Sequence, residues 1–376
     1  MTIAIRMICY LIILILISYS LLRYFHLWTR TGIPYCLYYI LQGILLLNLL
    51  ICQRRVVWIP NEILRNVLQG ISAVYLSIML YTPPLCFVRG IIRWIGDHKK
   101  KKGRIYRFFN HPARSIYCFL IFSICVGVLS FIQMRHISMT EYSVAIEKNA
   151  GQDNMKIALI SDAHIGSAMT RTSLSKTITR INETKPDIVI LCGDIFDSNT
   201  TKELREYSIQ CLNKLQTKYG IYYIEGNQEV HLKEDLRNLL KDSEIKVLLD
   251  QTITLQNGIQ LVGLRDLSDK RKNPVDRVLQ SIAKESPVIV ASHRPVDLET
   301  ISSLGVDLTV CGHTIGGQYP LGFLPVSLVN DMVYGQKKIA SMTAVTTSGA
   351  GGYGIPSKVT SKSEFVLIQL QLTGKK

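Results

Sequence analysis

Ile157-Ala158-Leu159-Ile160-Ser161-Asp162-Ala163-His164-Ile165-Gly166 is the stretch that decides the fold. Its four leading apolar residues predict a short buried strand. The strand ends in Asp162 and His164, two residues apart, with Gly166 behind them. An acid and an imidazole at one strand end direct a hard oxygen and a nitrogen at one point, as a divalent cation requires. An Asp at a strand end is also a common turn former, so the weight falls on whether the device recurs.

It recurs four times downstream, each time after an apolar run. Strand 187–191 is followed by Gly193-Asp194-Ile195-Phe196-Asp197, and strand 221–224 by Gly226-Asn227-Gln228-Glu229. Strand 288–291 is followed by Ser292-His293-Arg294-Pro295. Strand 308–311 leads into Gly312-His313-Thr314-Ile315-Gly316-Gly317-Gln318. Further strands are expected at 142–146, 155–160, 246–249, 252–255, 259–264 and 364–372. Asn257-Gly258 is read as a type I′ turn. Helices are expected at 171–185, 202–218, 233–243 and 274–284. Strands alternating with helices, then hairpin strands, predict an α/β sandwich of mixed sheets with flanking helices. Ligands gather beyond the carboxyl ends of strands in such sheets, so five loops bearing Asp, Asn or His converge on one place.

The first third of the chain reads differently. Residues 7–22, 35–52, 63–87 and 115–134 are apolar runs near the ~20 residues that cross a bilayer. Pro83-Pro84 should kink or end the third near Tyr81. The chain of 376 residues carries a net charge of +15, which invites a nucleic-acid reading. The distribution opposes it: residues 1–135 hold 16 Lys and Arg against Glu62 and Asp97 alone, whereas residues 136–376 hold 27 against 26 acids. The excess lies in the hydrophobic part, where Lys and Arg set topology. Its densest run, His98-Lys99-Lys100-Lys101-Lys102 with Arg104 and Arg107, is expected to be cytoplasmic. It would place the chain after residue 134 on the opposite side. The nine cysteines form no CxxC pair and imply neither a zinc knuckle nor a disulfide framework. The expected domains are a transmembrane region at 1–135 and a second domain at 136–376.

The series Asp-x-His, Gly-Asp-x-x-Asp, Gly-Asn-x-Glu, His and Gly-His resembles the calcineurin-like metallophosphoesterases from about residue 140 to the end. The apolar N-terminus and Ser348-Gly349-Ala350-Gly351-Gly352-Tyr353-Gly354 resemble their membrane-anchored bacterial branch. The resemblance implies a calcineurin-like α/β sandwich preceded by a four-helix transmembrane region. It also implies two divalent metal ions, for which the mixed N/O ligands suit Mn, Fe or Zn. Asp162, His164 and Asp194 would hold the first cation, with Asp194 bridging to a second held by Asn227, His293 and His313. Asp197 would orient the residue after the Asn, here Gln228. Arg294 is read either as a phosphate contact or as a surface arginine.

The implied activity is metal-dependent hydrolysis of a phosphate ester or phosphoanhydride at the membrane surface, with water as nucleophile. The expected partners are a phosphorylated small-molecule or lipid-linked substrate and the membrane, with no nucleic acid. The expected location is a bacterial inner membrane with the catalytic domain outside the cytoplasm. Two departures matter. Gln228 stands where the family has the His that protonates the leaving group, and an amide cannot act as a general acid near neutral pH. Ile315 stands where the family has a further His ligand of the first cation. His231 is near enough in sequence to compensate. The alternative reading is a degenerate, non-catalytic binding protein of the same fold.

Overall fold

A computed structural model describes residues 35–54, 59, 61–99, 103–152, 154–232, 235–319 and 326–374. The chain divides into two compact units, Met1–Arg55 with Ile59–Phe131, and Val56–Trp58 with Ile132–Lys376.

The first unit is helical: α1 (Tyr35–Arg54), α2 (Glu62–His98), α3 (Arg104–Asn110) and most of α4 (Pro112–Arg135). The run at 7–22 lies outside the described residues. Two of the described helices, α2 and α4, are long and apolar enough to cross a membrane, and α1 holds a shorter apolar stretch. Asn61 starts α2 by accepting the Leu64 N–H at 3.0 Å. The proline pair does not end the helix at Tyr81; α2 continues through both to His98. Packing against a neighbouring helix sustains prolines in such a setting, and Thr82 hydrogen-bonds Ser123 of α4 at 3.0 Å beside the pair.

Polarity in this unit is turned inside out. Gln69, Ser72, Ser77, Thr82, Arg89, Ser115 and Ser123 are buried, while Leu37, Ile44, Leu47, Ile63, Ile121 and Leu129 are more than half exposed. The buried polar groups bond between helices. Asn48 donates to the Leu68 carbonyl and to Ser72, Tyr75 donates to Gln42 at 2.8 Å, and Arg89 donates to Ser115 at 2.9 Å. Gly127 brings α4 against the α2 backbone: a Cβ there would lie 2.7 Å from the Val74 Cα.

The second unit stacks two six-stranded sheets. Its strands are β1 (Ser138–Ile146), β2 (Asn154–Ile160), β3 (Ile188–Cys192), β4 (Ile221–Ile224), β5 (Ile245–Val247), β6 (Gln251–Thr254), β7 (Gln260–Gly263), β8 (Val288–Ala291), β9 (Leu308–Cys311), β10 (Gly335–Ile339), β11 (Met342–Thr346) and β12 (Glu364–Leu372). The orders are β1-β12-β2-β3-β4-β5 and β10-β11-β9-β8-β7-β6. Strands β2 to β5 run parallel in the first sheet, and β7, β8, β9 and β11 in the second. Edge pairs β6·β7 and β10·β11 are antiparallel.

Side-chain alternation builds three layers of core. Ile157, Leu159, Ile188 and Ile190 meet Leu261, Ile289, Leu308 and Val310 between the sheets. Ala158, Ile160, Val189 and Leu191 point the other way, onto α5 (Arg171–Glu183) and α6 (Lys202–Leu212). Val262, Val288 and Val290 face α9 (Val275–Leu279) and α10 (Leu298–Ser303). Two further helices are single turns, α7 (Asn227–Val230) and α8 (Leu236–Leu239).

Several local expectations change. The helices expected at 233–243 and 274–284 shrink to α8 and α9. The Asn257-Gly258 turn is not type I′, because only Gly258 has a positive φ, of 86°. Gly258 N–H donates to the Leu255 carbonyl at 2.9 Å, so the loop is a three-residue turn ending in a left-handed glycine. The strands before and after residues 149–154 do not pair; the C-terminal strand β12 lies between them.

Candidate metal centre

The five loops meet at the carboxyl ends of β2, β3, β4, β8 and β9. The loops after β2 and β3 first run side by side: Asp162, His164 and Ile165 N–H groups donate to the Gly193, Asp194 and Ile195 carbonyls, each at 3.0 Å. The second sheet joins where the His313 N–H donates to Asp162 Oδ2 at 2.9 Å. Asp162, His164, Asp194 and His313 all have φ between 43° and 69°. Four non-glycine residues in the left-handed region mark a site held by its surroundings against local preference.

Glycines make the approach possible. A Cβ at Gly226 would lie 2.2 Å from Asp194 Oδ1, one at Gly193 2.5 Å from His293 Nδ1, and one at Gly312 1.9 Å from Ser161 Oγ.

Two clusters result. Asp162, His164 and Asp194 form one, and Asp194, His293 and His313 the other; within each, the candidate ligand atoms lie within 4.8 Å of one another. Asp194 belongs to both. Asn227 begins α7 beside them, and the next backbone N–H, that of Gln228, donates to Asp194 Oδ1 at 2.8 Å. Asp162 Oδ1, His164 Nε2 and Asn227 Oδ1 are buried without a hydrogen-bond partner. Orphans of this kind are rare and costly, and divalent cations would satisfy all three. The residues present fit such ions.

The remaining atoms of these side chains are anchored. His293 Nδ1 faces the Cys192 carbonyl at 2.8 Å, leaving Nε2 toward Asp194 at 3.5 Å. Asp197 was expected to orient Gln228; instead its Oδ2 lies 3.3 Å from His164 Nδ1 and accepts from Ser167 at 2.6 Å, while Oδ1 takes the Asn199 N–H. It thus turns His164 Nε2 inward, as carboxylates behind histidine ligands do. Arg294 is held by Asp266, with Nε to Oδ2 at 2.8 Å and a guanidinium nitrogen to Oδ1 at 3.3 Å. Gln228 is half-buried, and His231 is exposed at the end of α7. Ile315 is buried beside the turn that follows His313.

The site's electrostatics call for positive charge. Burial works against ionising Asp194, but the charge and hydrogen bond of His293 outweigh it and hold its carboxyl well below the usual range. Burial also opposes the imidazolium of His164 and of His293. The Asp197 hydrogen bond and nearby carboxylates raise His164 to about 9, and Asp194 raises His293 to about 10. Partial burial and the neighbouring His293 push His313 down to about 3. Cations entering the site would displace those two protons.

Glu229 ends the Gly226-Asn227-Gln228-Glu229 motif. It is buried and accepts from the Asp194, Phe196 and Gly226 N–H groups at 2.8–3.0 Å and from the Tyr223 hydroxyl at 2.7 Å. One carboxylate therefore clamps the loops after β3 and β4 together. An acid two residues after Gly-Asn was its only signal in the sequence.

Similarity to known proteins agrees with this geometry. The sequence profile of the calcineurin-like phosphoesterase family matches residues 155–316. An uncharacterised metallophosphoesterase of Campylobacter jejuni is 30% identical over 316 residues, covering 79% of this chain and 81% of that protein. The chain belongs to the calcineurin-like metallophosphoesterases. A transmembrane protein with a metallophosphoesterase domain from Danio rerio is 28% identical over 252 residues, covering 62% of this chain and 57% of that one. Among solved structures, a dimetal phosphatase from Danio rerio aligns with a TM-score of 0.38 and 14% identity, over 57% of this chain and 92% of that one. As a metallophosphoesterase the protein is a hydrolase of phosphoester bonds, and the Asp and His clusters are groups that could bind its metals.

Proposed function

We propose that this metallophosphoesterase is anchored in a membrane and hydrolyses a phosphate ester or phosphoanhydride there through a two-cation site. Asp162, His164 and Asp194 hold one cation; Asp194, Asn227, His293 and His313 hold the other. The observation that carries the reading is the trio of buried, unpartnered ligand atoms on Asp162, His164 and Asn227, gathered at one place where a pair of divalent cations would satisfy them together. When bound, the pair of cations neutralises phosphoryl oxygens and acidifies the attacking water. The chain's own groups set the rest. Asp197 fixes the His164 ring, the Cys192 carbonyl fixes His293, and Glu229 fixes the backbone on which Asp194 and Asn227 sit.

Gln228 decides the substrate class. It donates a hydrogen bond to a phosphoryl oxygen but supplies no proton to the leaving group. Missing acid catalysis costs about 10²–10⁴-fold on poor leaving groups, so aryl esters and phosphoanhydrides are the favoured substrates. A lipid-linked pyrophosphate fits both that preference and an anchored site. Membrane anchorage is supported by the inside-out polarity of the helical unit and by the transmembrane relative.

The test uses the full chain in detergent with added Mn²⁺. Aryl phosphodiester cleavage should be abolished in Asp194→Ala, and Gln228→His should raise turnover of alkyl esters more than of aryl ones. Metal bound by the unaltered protein with no turnover of either ester would instead favour a binding protein. Alkyl esters cleaved as fast as aryl ones would refute the leaving-group argument.

A further inference from the structure

Lys358 is fully buried, and nothing in the hydrolytic scheme uses it. Its Nζ, with three N–H donors at most, lies within hydrogen-bond distance of four backbone carbonyls: Ser348, Gly349 at 3.1 Å, Gly351 at 3.2 Å and Lys362 at 3.3 Å. Three of them belong to one glycine-rich loop, residues 348–351. Carbonyl dipoles turned toward one point repel each other, and an amine whose N–H groups point at them reconciles them. A buried ammonium is costly unless so bonded.

The same loop rests on the first cation site. Ala350 N–H donates to the Ser161 carbonyl at 2.8 Å, and Gly351 N–H to the Asp162 carbonyl at 2.9 Å. A Cβ at Gly349, where φ is +85°, would lie 2.9 Å from the Asp162 Cβ. From the far side, Glu364 Oε1 accepts the Ser348 N–H at 2.8 Å. The loop is thus gripped from behind by Lys358 and Glu364 and pressed in front against Asp162.

We propose that Lys358 is a positioning residue for the first cation site: by fixing the 348–351 loop it fixes Asp162, and so lets Asp162, His164 and Asp194 hold a cation that Ile315 does nothing to ligate. The inference rests on the two-cation reading above. Lys358 never touches substrate or metal. It acts through the loop's two N–H groups and its contact with the Asp162 side chain. A site one ligand short has less tolerance for a misplaced carboxylate, which is where support behind the ligands matters most.

The experiment measures metal binding, not turnover. The full chain in detergent is dialysed against graded Mn²⁺ and the bound metal is counted, with Asp162→Asn as the reference for loss of the first cation. Lys358→Met fills the volume but donates nothing. It should weaken one of the two binding steps by about 10–100-fold and leave the other, with Lys358→Arg recovering part of the loss. Should the Met variant fail to fold, Lys358→Gln, which keeps two donors without charge, decides by the same count.

Two steps that stay as in the unaltered protein, or that weaken in parallel, overturn the proposal. Parallel loss is what a merely structural lysine would give. An unaltered protein that binds no metal overturns the hydrolase reading and this inference together. Two cations bound without turnover would fell the hydrolase reading alone.

Discussion

Glu229 carries more of the site than any ligand does, because four donors end on its two oxygens. Glu229→Gln offers one oxygen in place of two and adds an amide where N–H groups already point. It therefore strands buried donors, each worth about 1–3 kcal/mol. The expected loss is about 2–5 kcal/mol in the denaturant unfolding of this unit, against no more than about 0.5 kcal/mol for an exposed control such as Glu206→Gln. Glu225, one residue before Gly226, behaves differently. Burial and a shared hydrogen bond with Asp269 push its carboxyl up to about 8, against the pull of Arg265. Its folded pKa thus lies above its unfolded value, so the native state holds the extra proton and stability falls as pH rises from about 4.5 to about 8. Glu225→Gln keeps a donor that cannot ionise. Melting curves at pH 5 and pH 8 should show the unaltered protein losing more than the variant; equal losses would remove Glu225 from the account. The sequence pointed to Asp162, His164, Asp194, His293 and His313 because each stands just past a strand end beside a small residue, Gly, Ala or Ser. The partners of Asp197 and the clamp of Glu229 were not legible. Both depend on which loops lie side by side, and that follows from strand order.

Strand order itself explains which elements could be read. Buried parallel strands such as β3 and β8 are unbroken apolar runs, visible without a partner. The β10·β11 hairpin went unseen because β10, Gly335-Gln336-Lys337-Lys338-Ile339, exposes three polar residues in a row and has no alternation. The position of β12 between β1 and β2 is a nonlocal choice with no local signal. At the loops, the glycines make a sharper prediction than the ligands do. Gly226 has φ −99°, which any residue adopts, yet a Cβ there would sit on Asp194 Oδ1. The same Cβ would lie 2.5 Å from the Asp194 backbone nitrogen, so Gly226→Ala should push away both the loop after β3 and the shared carboxylate, and both cations should be lost from the purified protein. Gly258→Ala is the converse case. Its Cβ meets nothing within 4 Å, but φ is +86°, so it should cost about 1 kcal/mol of stability and leave the metal content untouched. Metal counts and melting temperatures on the two variants separate crowding from backbone strain. Retained metal in Gly226→Ala would show that Asp194 yields without consequence.

At the scale of the whole chain, the contrast between the two units bears on where the site works. The second unit buries its apolar residues between and behind its sheets. The first buries serines, a threonine and an arginine, and leaves Ile and Leu outside. Water would penalise such an exterior, whereas lipid would not, and polar pairs such as Thr82–Ser123 are the contacts that join helices within lipid. The protein should accordingly stay with the membrane pellet through alkaline carbonate and need detergent for release. Orientation then follows from one helix, whatever the run at 7–22 does. Only α4 separates the basic stretch around His98, Lys99, Arg104 and Arg107 from the phosphoesterase strands. If α4 crosses, the two lie on opposite faces, and the excess of Lys and Arg assigns the basic stretch to the cytoplasm. Protease added outside intact spheroplasts should degrade the phosphoesterase unit while a tag inserted at Gly103 survives until the cells are opened. That outcome would exclude cytosolic phosphoesters as substrates and favour those presented at the outer face of the bilayer, among them the lipid-linked pyrophosphates proposed above. Both segments protected, or both cleaved, would mean that α4 does not cross and that the site must be sought on the side of the basic loop.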